Sequence, residues 1–258
     1  SMNAPYTFKL ISEARYGQGK AGTHLEFRPD TVSTGCSPLD TMLHGGFSFS
    51  EVSLVYGEAS TGKTTLTIQC AVECAKKGLK VLYVDADRSF SQNRFAQLAG
   101  DQLDRIAANI VLFVPETFSE QTSLVERMES YVTGSTGMIV VDTVTSLYRS
   151  SLGSMEKVFA QNRELNRQLA YLAELAAVRH VAILLTSQVH GLPFRVGHQI
   201  EPVARRILTY WSGAILRLVS TADPGVKTAM LERHSSPNVP LTSCLLRITE
   251  KGLEGVEP

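Results

Sequence analysis

Short apolar runs rich in β-branched residues alternate over most of the chain with longer segments whose apolar residues recur at helical spacing. The apolar runs lie at 52–56, 81–85, 110–114, 138–142 and 181–185. The segments with helical spacing lie near 64–76, 91–100, 119–132 and 155–179. Buried strands that alternate with helices are typical of a mainly parallel, twisted sheet flanked by helices, so the pattern predicts an α/β fold.

The pattern changes at both ends of the chain. After about residue 213, short strand-like runs at 214–218, 227–233 and 244–249 are separated by Pro/Gly turns, which predicts a C-terminal antiparallel extension of the sheet. Residues 1–30 contain three glycines and little periodicity. We therefore expect an N-terminal arm or cap at 1–33 and a single core domain at 34–258.

Composition narrows the class of protein. The 258 residues include 25 Lys+Arg and 25 Asp+Glu, and 43% of them are hydrophobic. The apolar runs fall far short of the ~18 residues that a membrane span needs, and no signal peptide is evident, so we expect a cytoplasmic protein without a membrane partner. Zero net charge means that any binding of nucleic acid must rest on local clusters. The four cysteines lack the paired spacing of a zinc site, and we expect reduced, buried thiols.

One motif carries specific chemistry. Residues 57–64 spell G-x-x-x-x-G-K-[ST] between a predicted strand and a predicted helix, which is the pattern of a phosphate-binding loop, or P-loop. Its glycines let the backbone curl so that N–H groups point at phosphates from a helix N-terminus. We expect Lys63 to reach the β- and γ-phosphates and Thr64 to bind Mg²⁺. The predicted phosphate-binding residues are Gly57, Glu58, Ala59, Ser60, Thr61, Gly62, Lys63, Thr64 and Thr65.

Polar residues end three of the predicted strands, at the edge of the sheet where α/β proteins bind ligands. Asp142 follows four apolar residues, which is the Walker B arrangement, and we expect it to hold Mg²⁺ through water. Asp85 and Asp87 follow a second strand on the same side, and one of them could orient a water as a general base. Gln188 ends a third strand, and from its position alone we expect it to sense the γ-phosphate.

Several longer stretches resemble the RecA-type ATPases, a superfamily that includes RecA, RadA, RadB and the KaiC group. The stretch 34–47 matches their T-G-x-x-x-L-D-x-x-L-x-G-G segment, and 83–90, 140–149, 185–189 and 246–252 are similar to the archaeal recombinases. Among these, the similarity is greatest to the RadB paralogues, which lack the N-terminal helix-hairpin-helix domain of RadA. The resemblance implies a RecA-like ATPase core that binds ATP and Mg²⁺ and acts in DNA repair and recombination.

The resemblance also implies roles for individual residues. Lys63, Asp87 and Gln188 become the catalytic set, although the usual catalytic Glu of the family falls on Asp87 here, so we expect slow hydrolysis. Arg233 corresponds to a segment that caps the nucleotide of an adjacent protomer, and a simple exposed Arg at a strand end is the alternative. The chain shows no clear F-x-x-A tether of the kind used for polymerisation, which favours a homodimer or small oligomer.

Two loops would correspond to the DNA-binding loops of the family, at about 149–162 and 190–210. The second combines cations with Phe194, Tyr210 and Trp211, whose rings can stack on bases. An ordinary loop with solvated charges is the alternative. The predicted contacts with single-stranded DNA are Arg149, Arg195, Arg205 and Arg206.

Three functions stay open from the sequence. The first is a recombinase paralogue that binds single-stranded DNA, assists a main RadA-like recombinase and associates with the nucleoid. The second is a KaiC-like signalling ATPase that does not act on DNA. The third is a non-hydrolysing adaptor in which ATP only orders a loop and an interface.

Overall fold

The computed structural model describes residues 9–10, 30–188 and 200–256. The strands are β1 (Lys9–Leu10), β2 (Thr31–Val32), β3 (Phe47–Ser48), β4 (Val52–Gly57), β5 (Lys80–Asp85), β6 (Ile110–Phe113), β7 (Thr136–Asp142), β8 (Ala182–Gln188), β9 (Ala214–Ser220), β10 (Val226–Arg233), β11 (Ser243–Thr249) and β12 (Gly252–Gly255). The helices are α1 (Ser37–Met42), α2 (Lys63–Lys76), α3 (Gln92–Ala99), α4 (Leu103–Ala107), α5 (Phe118–Glu126), α6 (Met128–Tyr131), α7 (Ser146–Ser150), α8 (Met155–Arg179) and α9 (Ile200–Trp211), with a 3₁₀ turn at Gly100–Gln102.

Within the described residues, ten strands form one sheet in the order β1-β6-β5-β7-β8-β4-β9-β10-β11-β12. Pairing is parallel from β1 as far as β9, because β4 and β9 also run parallel. It is antiparallel from β9 to β12. The predicted α/β sheet with a C-terminal antiparallel extension is therefore present, and β9 is the strand at which the pairing changes.

Both faces of the sheet are covered. All six residues of β4 are buried, as expected for a strand packed on two sides. On one face, Leu66 and Ile68 of α2 are fully buried against the sheet. On the other face, Leu165 and Leu169 of α8 are fully buried in a second core. The apolar stripes of α2 and α8 are thus what hold these helices on opposite faces.

The predicted loops at 149–162 and 190–210 need correction where the structure describes them. The first comprises the end of α7 and the start of α8 with only residues 151–154 between the two helices, and residues 200–210 of the second lie in α9. Ala204 and Leu208 are buried one turn apart on α9, and this spacing stabilises a helix despite the local charges. Residues 189–199 lie outside the described part of the chain.

Two short strands within the predicted arm, β1 and β2, pair with strands of the core. β2 pairs antiparallel with β3, and β1 pairs parallel with β6 at the edge of the sheet. Val32 is 3% exposed. The division of the chain at residue 33 stays a prediction.

The burial of the cysteines and the composition of the helices can be compared with the expectations from the sequence. Three thiols are buried and that of Cys244 is half-buried, and no disulfide joins any two of these four described cysteines. Among the described residues, no helix combines the length and the apolar character needed to cross a membrane.

Candidate functional site

The motif at 57–64 connects β4 directly to α2. Ser60 and Gly62 both have positive φ values, 61° and 97°, which turn the backbone back onto the first turn of α2. The helix begins at Lys63, and the N–H of Leu66 donates to the carbonyl of Gly62 at 2.9 Å. The N–H groups of the first helical turn have no partner within the helix. Loop and helix together make a site suited to phosphate.

Lys63 lies over this loop. Its Nζ donates to the carbonyl oxygens of Gly57 at 2.9 Å and Glu58 at 2.6 Å, and the side chain is 7% exposed. Burial lowers the pKa of Lys63 to about 8, and the charges of Asp142 and Asp87 oppose that shift. The ammonium group is therefore held where an added negative charge, such as a phosphate, would favour its protonated form.

Asp142 ends β7 and is fully buried. Its Oδ2 accepts a hydrogen bond from Tyr83 Oη at 2.9 Å, and its Oδ1 accepts one from Thr186. Ser89 Oγ lies 3.2 Å from Thr64 Oγ1 and 3.5 Å from Asp142 Oδ2. The Asp142 carboxylate and the Thr64 hydroxyl thus lie on either side of the Ser89 hydroxyl. These oxygen atoms are suitable ligands for a Mg²⁺ ion that is bound mainly through water.

The two carboxylates after β5 have different surroundings. Asp85 is buried and accepts hydrogen bonds from the backbone N–H groups of Ser89 at 2.9 Å and Phe90 at 3.1 Å. Asp87 is exposed. Partial burial and the charge of Asp142 raise the pKa of Asp87, whereas Lys63 and Arg149 lower it. Asp85 therefore holds the backbone, and Asp87 is the carboxylate available for a water near Lys63.

Gln188 lies beside the start of the P-loop. It is the last residue of β8, and it pairs in register with Gly57 on β4. The guanidinium of Arg149 donates to the backbone carbonyl of Gln188. The structure thus places Gln188 at the edge of the sheet where the P-loop begins, with Arg149 of α7 bonded to it.

The cations predicted to contact DNA or nucleotide have varied positions. Arg205 and Arg206 are exposed on α9, and Arg205 Nη2 donates to Tyr56 Oη at 3.0 Å. Arg233 donates to the carbonyl of Thr209 and, at 3.3 Å, to that of Ser212, both in its own chain. Arg195 lies outside the described residues. The roles of these cations therefore stay predictions.

Sequence reasoning missed the groups that position Asp142. These are Thr67 on α2, Tyr83 on β5, Ser89 after β5 and Thr186 on β8. Tyr83 is fully buried, and a buried tyrosine hydroxyl usually needs a hydrogen-bond partner. A tyrosine within a predicted buried strand, two positions before the Asp85 that ends it, was the signal available for this contact.

Together the fold and the site define a P-loop ATPase core of the RecA type. The sequence model of the Rad51 family matches residues 30–256, and the chain belongs to this family. The predicted RecA-like fold and the predicted resemblance to recombinase paralogues are confirmed.

The chain is also similar to relatives named DNA repair and recombination protein RadB. It is 34% identical to the one from Methanococcoides burtonii, over 87% of this chain and 97% of the relative. It is 36% identical to the one from Thermococcus onnurineus, over 87% and 97% of the two chains. A crystal structure of the RadB recombinase superposes with a TM-score of 0.74 at 33% identity, covering 88% of this chain and all of that one. The chain is thus a Rad51-family recombinase paralogue.

Proposed function

We propose that this protein binds Mg·ATP, hydrolyses it slowly, and binds single-stranded DNA to assist a main RadA-like recombinase in DNA repair and recombination. The observation that carries the proposal is the pairing of Gly57 with Gln188. It joins the P-loop to the strand that leads toward α9, so that nucleotide and DNA can influence each other.

The nucleotide part of the proposal follows from the P-loop. The backbone N–H groups from Ser60 to Thr65 hold the phosphates, and Lys63 neutralises the β- and γ-phosphates. Thr64 and Asp142 hold Mg²⁺, which offsets the charge that develops on the transferred phosphoryl group. The fully buried position of Asp142 and its hydrogen bonds from Tyr83 and Thr186 support this role.

Hydrolysis requires an oriented water. We assign this role to Asp87, assisted by Gln188, because the backbone N–H of Asp87 donates to the carbonyl of Asp142 at 3.2 Å, which places Asp87 beside the residue assigned to Mg²⁺. Its side chain is one methylene shorter than that of glutamate, and a carboxylate set back by ~1 Å can slow a reaction on the order of 100-fold. Slow turnover suits a switch more than a motor.

The DNA part of the proposal rests on exposed cations. Arg206 is exposed on α9 and is the strongest candidate for a phosphate contact, with Arg195 a further one from the sequence. Arg149 and Arg205 already bond within the chain, to Gln188 and Tyr56. In this proposal the protein works in the cytoplasm, at the nucleoid when it is bound to DNA.

We further propose a homodimer or small oligomer, in which Arg233 approaches the nucleotide of the adjacent protomer. Arg233 is exposed at the end of β10, which supports this role. Its bonds to the carbonyls of Thr209 and Ser212 would then be exchanged for phosphate on assembly.

The test is steady-state ATP hydrolysis with and without single-stranded DNA at low salt, with Lys63→Ala. Loss of turnover with retained circular dichroism is the expected result. Lys76→Ala is the matched control, because it removes a partly exposed Lys, paired with Glu73, from the other end of the same helix. An active Lys63→Ala variant would overturn the assignment. If wild type binds ATP without turnover, the non-hydrolysing adaptor becomes the better proposal.

A further inference from the structure

Tyr56 is the residue immediately before the P-loop, and its hydroxyl joins two other elements. The side chain is 5% exposed. Its Oη donates to Glu232 Oε2 on β10 at 2.6 Å and accepts from Arg205 Nη2 on α9 at 3.0 Å. Hydrogen bonds in which one partner is charged are stronger than neutral ones. Tyr56 is therefore bonded on one side to the sheet and on the other side to α9.

Two guanidinium groups also lie over the Tyr56 ring. The Cζ of Arg205 is 5.1 Å from the ring centroid, and that of Arg217 on β9 is 6.0 Å from it. Arg217 Nη1 lies 3.9 Å from Glu232 Oε1. Cations at these distances are attracted to the face of an aromatic ring. The ring and its hydroxyl thus both contribute to the contact between α9 and the P-loop strand.

The hydroxyl keeps its proton at neutral pH. Burial raises the pKa of Tyr56 to about 12, and the hydrogen bond to Glu232 adds to the shift. Tyr56 consequently remains a donor to Glu232 and an acceptor from Arg205 under working conditions.

A cavity beside this contact leaves room for α9 to shift. It has a volume of about 230 Å³ and is lined by residues of α9, β4 and β9, among other elements. Leu54 and Ile215 of the sheet and Leu208 of α9 are among its apolar lining residues. Protein interiors are normally close-packed, and close packing opposes small displacements. Arg205 and Tyr56 bridge the two sides next to this space, so their contact is well placed to set the position of α9.

We propose that Arg205 is a positioning residue, which acts through Tyr56 to couple the position of α9 to the P-loop. The inference rests on the proposed function, because α9 lies largely within the segment 190–210 that was assigned to DNA. When DNA binds to α9 and shifts it, Arg205 moves with the helix. The hydrogen bond from Arg205 then displaces Tyr56 and the adjoining Gly57. By reciprocity, nucleotide on the P-loop then changes the affinity for DNA by the same factor. Arg206, the next residue, takes no part in this coupling and contacts DNA instead.

The test is the affinity for a fluorescent single-stranded oligonucleotide, measured by anisotropy with and without Mg·ATP. The quantity compared is the dissociation constant for DNA without Mg·ATP divided by that with Mg·ATP. In Tyr56→Phe and Arg205→Gln this ratio should fall by about fivefold or more, the lower range of allosteric coupling, while the affinity for Mg·ATP alone is unchanged. Arg206→Gln is the matched control, and it should weaken DNA binding equally in both states.

Each outcome has a distinct meaning. A wild-type ratio in both Tyr56→Phe and Arg205→Gln overturns the coupling and leaves the proposed function intact. Arg205→Gln could instead weaken DNA binding equally with and without Mg·ATP, while Tyr56→Phe has no effect. That result would assign Arg205 to a direct contact with DNA and would also overturn the coupling. If the wild-type protein itself binds DNA with the same dissociation constant with and without Mg·ATP, then both the coupling and nucleotide-dependent DNA binding are overturned. Arg205 is exposed, so its variant tests the idea even if Tyr56→Phe fails to fold.

Discussion

Gly57 pairs with Leu218 so closely that a Cβ added to Gly57 would lie 2.2 Å from the Leu218 carbonyl oxygen. The same Cβ would lie 3.0 Å from Thr61 Oγ1. Gly57 therefore lets the first residue of the P-loop lie directly against β9 while the loop curls above it. The glycine is required by close contact with the neighbouring strand as well as by the loop.

Gly57→Ala should destabilise the fold, because the backbone of Leu218 cannot move aside as a side-chain end could. We expect a loss of about 1–3 kcal/mol in the free energy of unfolding, the usual range for overpacking. Urea denaturation measures it. Gly153→Ala is the control, since its added Cβ would meet only Lys157 Cδ at an ordinary 3.4 Å. Equal stability of the two variants would contradict the contact.

Asp85→Ala should also destabilise the protein. The carboxylate accepts hydrogen bonds from the N–H groups of Ser89 and Phe90, which are partly buried, and leaving such donors without a partner costs on the order of 1 kcal/mol or more. Asp87→Ala is the matched comparison, because Asp87 is exposed two residues away. Thermal and urea unfolding of both variants should show a clear loss of stability for Asp85→Ala only. The same loss in both would mean that Asp85 has no special structural role.

Stability should fall at alkaline pH, in part because of Cys244. Burial raises the pKa of this thiol from 9.0 to about 11. Between pH 9 and pH 11 the unfolded chain releases the thiol proton while the folded chain keeps it, so rising pH favours unfolding. The contribution is on the order of 2 kcal/mol.

Cys244→Ala isolates this contribution, since Tyr56 also titrates at high pH. Urea unfolding at both ends of the window should show a smaller loss of stability in the variant than in wild type. A parallel fall in the two proteins would mean that Cys244 titrates alike when folded and unfolded.

Local patterns were enough to predict the framework of the fold and the centre of the site. The leucines at helical spacing give α8 the bounds 155–179 that the sequence indicates. The P-loop and Asp142 could be assigned because the G-x-x-x-x-G-K-[ST] pattern, placed between a strand and a helix, is highly specific for phosphate binding. The segment 119–132 was harder, since it forms two helices, α5 and α6, joined at Arg127.

The contacts around the motif could not be predicted in the same way. Tyr56 and Glu232 lie 176 positions apart in the chain, and Tyr83 and Asp142 lie 59 apart. No local periodicity reports such pairs, because they depend on the order of the strands. The sequence predicts a loop where α9 lies for a related reason: the buried residues of α9, Ala204 and Leu208, gain their energy from packing against other elements, including α8 and β4.

Asp87 is the residue on which the rate of hydrolysis should depend most directly. Asp87→Glu gives the side-chain length that the resemblance to RecA-type ATPases implies for the catalytic carboxylate, and we expect ATP turnover to rise by about tenfold or more, given the ~100-fold effect of a 1 Å displacement. Because Asp87 is exposed, the added methylene has room. Asp87→Asn should abolish turnover, since an amide cannot accept a proton from water. Both variants should bind Mg·ATP as wild type does, measured by calorimetry beside the steady-state assay. Turnover that survives in Asp87→Asn would assign the water to another group.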